Sequence, residues 1–355
     1  MRKAILTLTL LLLSAIAIIT FLVKSAPLPN KVLNGFDRTI QPASSLTPLG
    51  NMPTGDSIQL VSGATATQLF FTTTDPTVIL CTDYHFKHPK RIRLSLSQGL
   101  LDSLQTYFYT TIDSPLVHIY GYNMPAIITL SLSGGPAQVF RLPPGGFSKA
   151  IAIGPDQFIL RKLDRTISDQ QFLKVNTTTQ AITTEKNLSA LHQDGGMSTD
   201  GSLIYDTATH QLIYTHFYSN RFFSFDTSLQ KTLAGHTIDT SSYSHYQLAE
   251  ATARKEHVFT SQGPDPMINN ASFVYKGKLF IHSLLKGDHE AAGKFTNNAA
   301  IDKYDLSTGH YLGSFYLPLK PEKVRRIFIF DDKLVAQCRD YIYSFAIDTR
   351  DSVLN

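Results

Sequence analysis

HQDGGMSTDGSLIYDTATHQLIYTHFYSNRFFSFDTSLQKTLAGHTIDT, residues 192–240, decides the fold of this 355-residue chain. Four short apolar runs follow one another in it: Leu203–Tyr205, Leu212–Tyr218, Phe222–Phe225 and Leu229–Leu233. Asp, Gly, Asn, Ser and Thr separate them. β-Branched and aromatic runs punctuated by such residues predict strands joined by tight turns, here an antiparallel meander of three or four strands. Along the second run Leu212, Tyr214, His216 and Tyr218 share one face, and Ile213, Thr215 and Phe217 share the other. Neither face carries a formal charge unless His216 is protonated. A sheet wetted on one side alternates apolar with charged residues, so this strand reads as covered on both sides. A small meander buried on both faces, in a chain with room for several copies, predicts a blade of a β-propeller.

The same pattern recurs outward from that stretch. First strands fall near residues 68, 107, 149, 202, 271 and 324, a mean step of about 50 residues, within the range of propeller repeats. The step from 202 to 271 is long and holds an extra pair, Tyr246–Ala249 and His257–Thr260, a candidate for a degenerate seventh blade. Six blades are the preferred count. The last unit shows three strands, and Ile58–Val61 is the candidate fourth that closes the ring and removes an open sheet edge. The all-β domain is placed at 56–347, with a C-terminal tail at 348–355.

Composition narrows the function classes. A net charge of +4 is small. The basic runs Lys87–Arg93 and Lys320–Arg326 read as solvated loops or strand ends rather than a nucleic-acid surface. Tryptophan is absent. The chain carries no P-loop, no Rossmann glycine fingerprint and no H-E-x-x-H. Cys81 and Cys338 are the only cysteines. Strands in facing sheets stand about 10 Å apart, wider than the roughly 7 Å limit for bridged Cα atoms, so buried free thiols are expected over a disulfide.

At the N-terminus Arg2 and Lys3 precede an uncharged run, Ala4–Val23. Its length matches a bilayer core at about 1.5 Å per residue. Residues 1–25 are read as a signal anchor, with a cleavable signal peptide as the rival, and the basic flank favours a cytoplasmic N-terminus. The rest of the chain would then lie outside the cytoplasm. Residues 26–55, rich in Pro, Ser, Asn and Gly, read as a flexible linker.

Several sets of residues have the chemistry of a site. Asp194 and Asp200 bracket a glycine-rich loop around Ser198, although their spacing does not match a calcium loop. Asn220 with Arg221, and His236 with Asp239, fall in turns that could line one end of a ring. Asp288, His289 and Glu290 put three acid–base groups in succession after a strand. Cys81, His85 and His88 have ligand-like spacing, yet two of them fall in a loop, and no metal is assigned. No catalytic set and no cofactor emerge.

The segments QDGGMSTDGSLIYD, LIYTHFYSNRFFSFD, GHTIDT, LFIHSLLKGDHE and IDKYDLSTGHYLGSFYLP resemble those of a bacterial group of uncharacterised envelope proteins with an N-terminal hydrophobic segment and a propeller-like body. The resemblance rests on Asp194-Gly195, Asp200-Gly201, Thr237–Thr240, Glu290 and Tyr304-Asp305. It extends architecturally to the TolB-like six-bladed propellers. It implies fold and location, and no catalytic residue. The preferred reading is a monomeric, membrane-tethered binding or scaffold module in the cell envelope, serving an envelope protein or a small ligand. The alternative is a propeller enzyme, a hydrolase or a cyclotransferase, with Asp288, His289, Glu290, His236 and Asp239 at one end of the central channel. A quinoprotein-like dehydrogenase is the weakest version, since those enzymes use tryptophans.

Overall fold

The computed structural model describes residues 2–25, 33–41, 46–55, 58–105, 108–122, 124–143, 146–242, 248–253, 256–261 and 267–347. The chain divides into an N-terminal unit, residues 1–34, and a second unit, residues 35–355. In the first, α1 (Arg2–Ser25) contains an 18-residue apolar window, Ile5–Leu22, long enough to cross a membrane. Its hydroxyls turn back onto the helix's own carbonyls: Thr9 donates to Ile5 (2.9 Å), Ser14 to Leu11 (2.8 Å) and Thr20 to Ile16 (2.7 Å). That pairing removes the cost of carrying them into hydrocarbon.

The second unit is a six-bladed β-propeller. A strand from the start of the unit, β1 (Leu46–Pro53), belongs to the last blade. Blade one is β2 (Ile58–Ala64), β3 (Leu69–Thr73), β4 (Val78–Thr82) and β5 (Lys90–Arg93). After the short α2 (Gln98–Leu104), blade two is β6 (Phe108–Asp113), β7 (Leu116–Gly121), β8 (Ala126–Ser131) and β9 (Gln138–Arg141). Blade three is β10 (Phe147–Ala152), β11 (Gln157–Asp164), β12 (Asp169–Asn176) and β13 (Ile182–Glu185). Blade four is β14 (Gly201–Asp206), β15 (Gln211–His216), β16 (Arg221–Asp226) and β17 (Lys231–His236). A separate two-stranded sheet, β18 (Leu248–Ala253) with β19 (Glu256–Ser261), interrupts the crossing to the next blade. Blade five is β20 (Asn269–Tyr275), β21 (Lys278–Ser283), then α3 (Ala292–Asn297), β22 (Ala299–Asp305) and β23 (Tyr311–Leu317). Blade six runs β24 (Val324–Phe330), β25 (Lys333–Cys338) and β26 (Tyr341–Ile347), and β1 completes it.

The burial argument of the opening stretch holds residue by residue. In β15 every residue from Leu212 to His216 is buried. Leu212 and Tyr214 pack with Ile159 and Phe172 of blade three, whereas Ile213 packs with Leu279 and Ile281 of blade five. Each neighbouring pair of blades shares one such apolar seam, and the seam between blades six and one, built from Val61, Leu69, Phe71, Val335 and Ile342, closes the circle. A fully buried Phe or Leu contributes roughly 1.5–3 kcal/mol, so the ring is held by these seams far more than by any surface pair.

Three strand expectations are corrected. The ring is closed by β1, inside the stretch read as a linker, through the ladder from Leu46↔Ile347 to Pro53↔Tyr341. Ile58–Ala64 is instead the innermost strand of blade one, so first strands run from 58 rather than 68. Among the described residues the 248–261 hairpin pairs only with itself, and it is not a seventh blade. Residues 26–32, 42–45 and the tail 348–355 lie outside the described residues. Cys81 and Cys338 are both free and buried, Cys81 in the seam of blades one and two and Cys338 in that of five and six. Burial pushes the Cys338 thiol up to about 11 and the Cys81 thiol above its ordinary value, which keeps both protonated.

Candidate functional site

All the candidate residues belong to one end of the ring, where the inner strands begin and the second-to-third strand loops of the blades emerge. Most of the acids there hold backbone. Asp194 is buried and accepts the amides of Gly196 (2.8 Å) and Ser198 (3.0 Å), folding the loop into a tight turn with Gly195 and Gly196 at positive φ. Asp239 accepts the Thr237 hydroxyl (2.5 Å) and the Ser241 amide (2.9 Å). Asn220 donates its side-chain amide to the Asp239 carbonyl (2.8 Å), tying the β15–β16 turn to the crossing that follows β17. His236 stands exposed at the end of β17, opposite Arg221 in the ladder.

The loop from 194 to 200 wraps a cation that the sequence did not advertise. Arg161 of β11 is 1% exposed; it donates to the Gly196 carbonyl and the Thr199 hydroxyl (both 2.8 Å) and to Asp200 (3.4 Å). Lys149 reaches the same Asp200 carboxylate at 3.3 Å. Asp200 is therefore a shared counter-ion for two basic residues of blade three.

Asp288, His289 and Glu290 receive the chain's own N-terminal strap. Asp288 accepts the Gly35 amide (3.1 Å), and His289 Nδ1 lies 2.7 Å from Asp37. Arg38 is the centre of the contact: its guanidinium meets Glu290 at 2.6 Å and Asp302 at 2.7 Å, with all three side chains buried. Tyr316 donates to Glu290 (2.5 Å) and Ser314 to Asp302 (2.5 Å). Ile40 then makes a parallel bridge to Ser314. The partners of Arg38 lie more than 250 positions away, so no local pattern could have shown them. Cys81, His85 and His88 do not converge either: the first is buried, and the two histidines are exposed, His88 on Asp83 (2.6 Å) and His85 on the Leu49 carbonyl (3.0 Å).

Arg221 differs from all of these. Among the described residues its side chain has no hydrogen bond and no ion pair, and its Nε is buried. It lines a small cavity, about 20 Å³, with His192, Ser198, Thr199, His216, Ser219 and Ser242. The Ser198 hydroxyl is buried and bonds nothing. His216 is 3% exposed and contacts Ser219 through Nδ1 at 3.0 Å. Burial first, then the neighbouring Arg161 and Arg221, push its imidazole down to about 3, so it is neutral.

A six-bladed β-propeller with a small polar cavity at one end of blade four is thus the class of protein that fold and site define. A scan of protein-family models finds no match to the sequence, and a search of curated proteins finds none. Among solved structures the chain is similar to a member of the DUF4221 family from Bacteroides vulgatus, at 11% identity, TM-score 0.53, covering 89% of this chain and 99% of that one. A protein of unknown function from Bacteroides thetaiotaomicron matches at 12% identity and TM-score 0.50, over 87% of this chain and 75% of that one. Virginiamycin B lyase from Staphylococcus aureus gives TM-score 0.48 at 11% identity, over 84% and 98%. At such identity the likeness to the two Bacteroides proteins shows the architecture and carries no chemistry.

Proposed function

We propose that this protein is a binding module of the cell envelope, tethered by α1 with its propeller outside the cytoplasm, and that it engages an envelope protein or a small ligand at the Arg221 end of blade four. The observation that carries the reading is the contrast at that end. Asp194, Asp200, Asp239 and Asn220 serve as frame, each holding backbone or a neighbouring cation, while the Arg221 Nε and the Ser198 hydroxyl are buried donors with no acceptor among the described residues. Buried donors without partners cost roughly 1–3 kcal/mol each, a cost that a bound acceptor relieves. A hydrolase or cyclotransferase is less well supported, because Asp288, His289 and Glu290 are engaged with residues 35–38. Tethering is supported by the length and composition of α1 and by Arg2 and Lys3 ahead of its apolar window.

The test is recovery of specific partners or ligands by the full chain from solubilised membranes, compared with Arg221→Met. Specific capture that the substitution weakens is the expected result. Repeated failure to recover any specific protein or small molecule overturns the proposal.

A further inference from the structure

Resting on that reading, we infer that the cavity of Arg221, Ser198 and His216 is a receptor for a carboxylate, the terminal group of a small acid or of a partner's acidic side chain or C-terminus. Arginine does not lose its proton in proteins. A half-buried guanidinium with no counter-ion among the described residues therefore carries a desolvation cost that water relieves only in part. The described acids at this end of the ring are occupied elsewhere. Asp194 and Asp239 hold backbone amides and a hydroxyl, Asp200 holds Lys149 and Arg161, and Asp169 accepts the amides of His192 (2.6 Å) and Gln193 (3.1 Å).

Two of the other lining groups, Ser198 and His216, are donors in position. The Ser198 hydroxyl is 92% buried with its residue and has no acceptor. When Ser219 donates to Nδ1 of His216, the neutral ring presents its Nε2–H, which bonds nothing among the described residues. The site then offers one fixed positive charge and two neutral donors, which suits a monoanion better than a dianion. The planar guanidinium fork matches a carboxylate bidentately. The volume agrees: about 20 Å³ exceeds the roughly 10–15 Å³ that a single water needs and is too small for a nucleotide or sugar ring. A water alone would satisfy Ser198 and His216 and leave the charge unanswered.

The experiment titrates the full chain in detergent, with isotope-labelled histidine, against sodium acetate, sodium phosphate and sodium chloride at constant ionic strength. The imidazole signal assigned to His216 is followed. The expected result is a saturable shift with acetate, weakened at least about tenfold in Arg221→Met and Ser198→Ala, as loss of a charge-assisted contact predicts. Ser198→Ala removes a hydroxyl that bonds nothing and should melt as the parent does, which guards against a folding artefact in the other variant. A shift with phosphate or chloride but not acetate, no saturable shift, or an acetate response unchanged in both variants overturns the inference. A partner captured from membranes whose binding ignores Arg221→Met also overturns it, while leaving the binding module itself standing.

Discussion

Arg38 carries a buried charge that two carboxylates neutralise at 2.6 and 2.7 Å. Removing the cation leaves Glu290 and Asp302 buried beside each other, and a broken buried pair costs about 3–5 kcal/mol. Arg38→Met should lower the urea midpoint accordingly, and adding Glu290→Gln should recover part of the loss, since one of the two orphaned charges is gone. A midpoint unchanged in Arg38→Met would show that the strap does not hold in solution. Histidines set the acid limit. His118, His216 and His282 are all under 4% exposed, and burial pushes them down to about 4, 3 and 4. Their folded values lie below the usual 6.5, so the unfolded chain binds the extra protons. Their stabilisation is present above pH 6.5 and is lost as pH falls toward 4, by about 2 kcal/mol each between pH 7 and 5. Paired carboxylates such as Asp164, held at about 2 by Lys186 and Thr166, lose their contribution only below that window. Denaturation at pH 7 and 5 should show the drop, and His118→Gln should flatten it. At this scale the sequence disclosed little. Asp288–Glu290 stood out as a run of ionisable groups, but its partners are the chain's own residues 35–38. Arg161 lies in a strand whose pattern says only that it is buried. Arg221 was legible as a turn-end basic residue, and its lack of a partner was not.

Strands were legible where hairpins are short. Blade four announces itself through the polar residues between its apolar runs, and the run Leu212–Tyr218 lies close to the observed β15. The strand that closes the ring was hidden for a physical reason. β1 reads LTPLGNMP, with two prolines and a glycine, the composition of a linker. Proline cannot donate to a ladder, and it is tolerated on an outermost strand because one edge has no partner to serve. β1 has only β26 beside it, and its register slips between Pro48 and Gly50. Once β1 was read as linker, Ile58–Val61 became the nearest free strand for closure, which displaced blade one by a strand. Gly63 shows where that strand belongs: a Cβ there would sit 2.1 Å from the Ile112 carbonyl, so β2 presses against β6 at the inner wall of the ring. The 248–261 hairpin misled in the opposite direction, since periodicity cannot tell a two-stranded excursion from half a blade.

Closure from both ends of the chain makes the whole ring answer to residues 35–53. The apolar seams join every neighbouring pair of blades, but the seam of blades six and one is secured along its outer side by β1 and by its contacts with β26. Three versions of the chain separate the contributions. One beginning at Leu33 lacks α1 and retains the strap and β1; it should stay out of the membrane fraction and unfold in urea within experimental error of the parent. One beginning at Leu46 keeps β1 but loses Arg38 and the Ile40 bridge, and should lose about the same 3–5 kcal/mol as Arg38→Met, because both remove the same buried pair. One beginning at Thr54 leaves blade six with three strands and exposes the edge of β26, an open template for pairing between molecules. It should aggregate or populate a partly open ring, detected as two transitions by fluorescence and circular dichroism. If it instead unfolds in a single transition at the midpoint of the Leu46 version, β1 does not clasp the ring, and closure rests on the apolar seam alone.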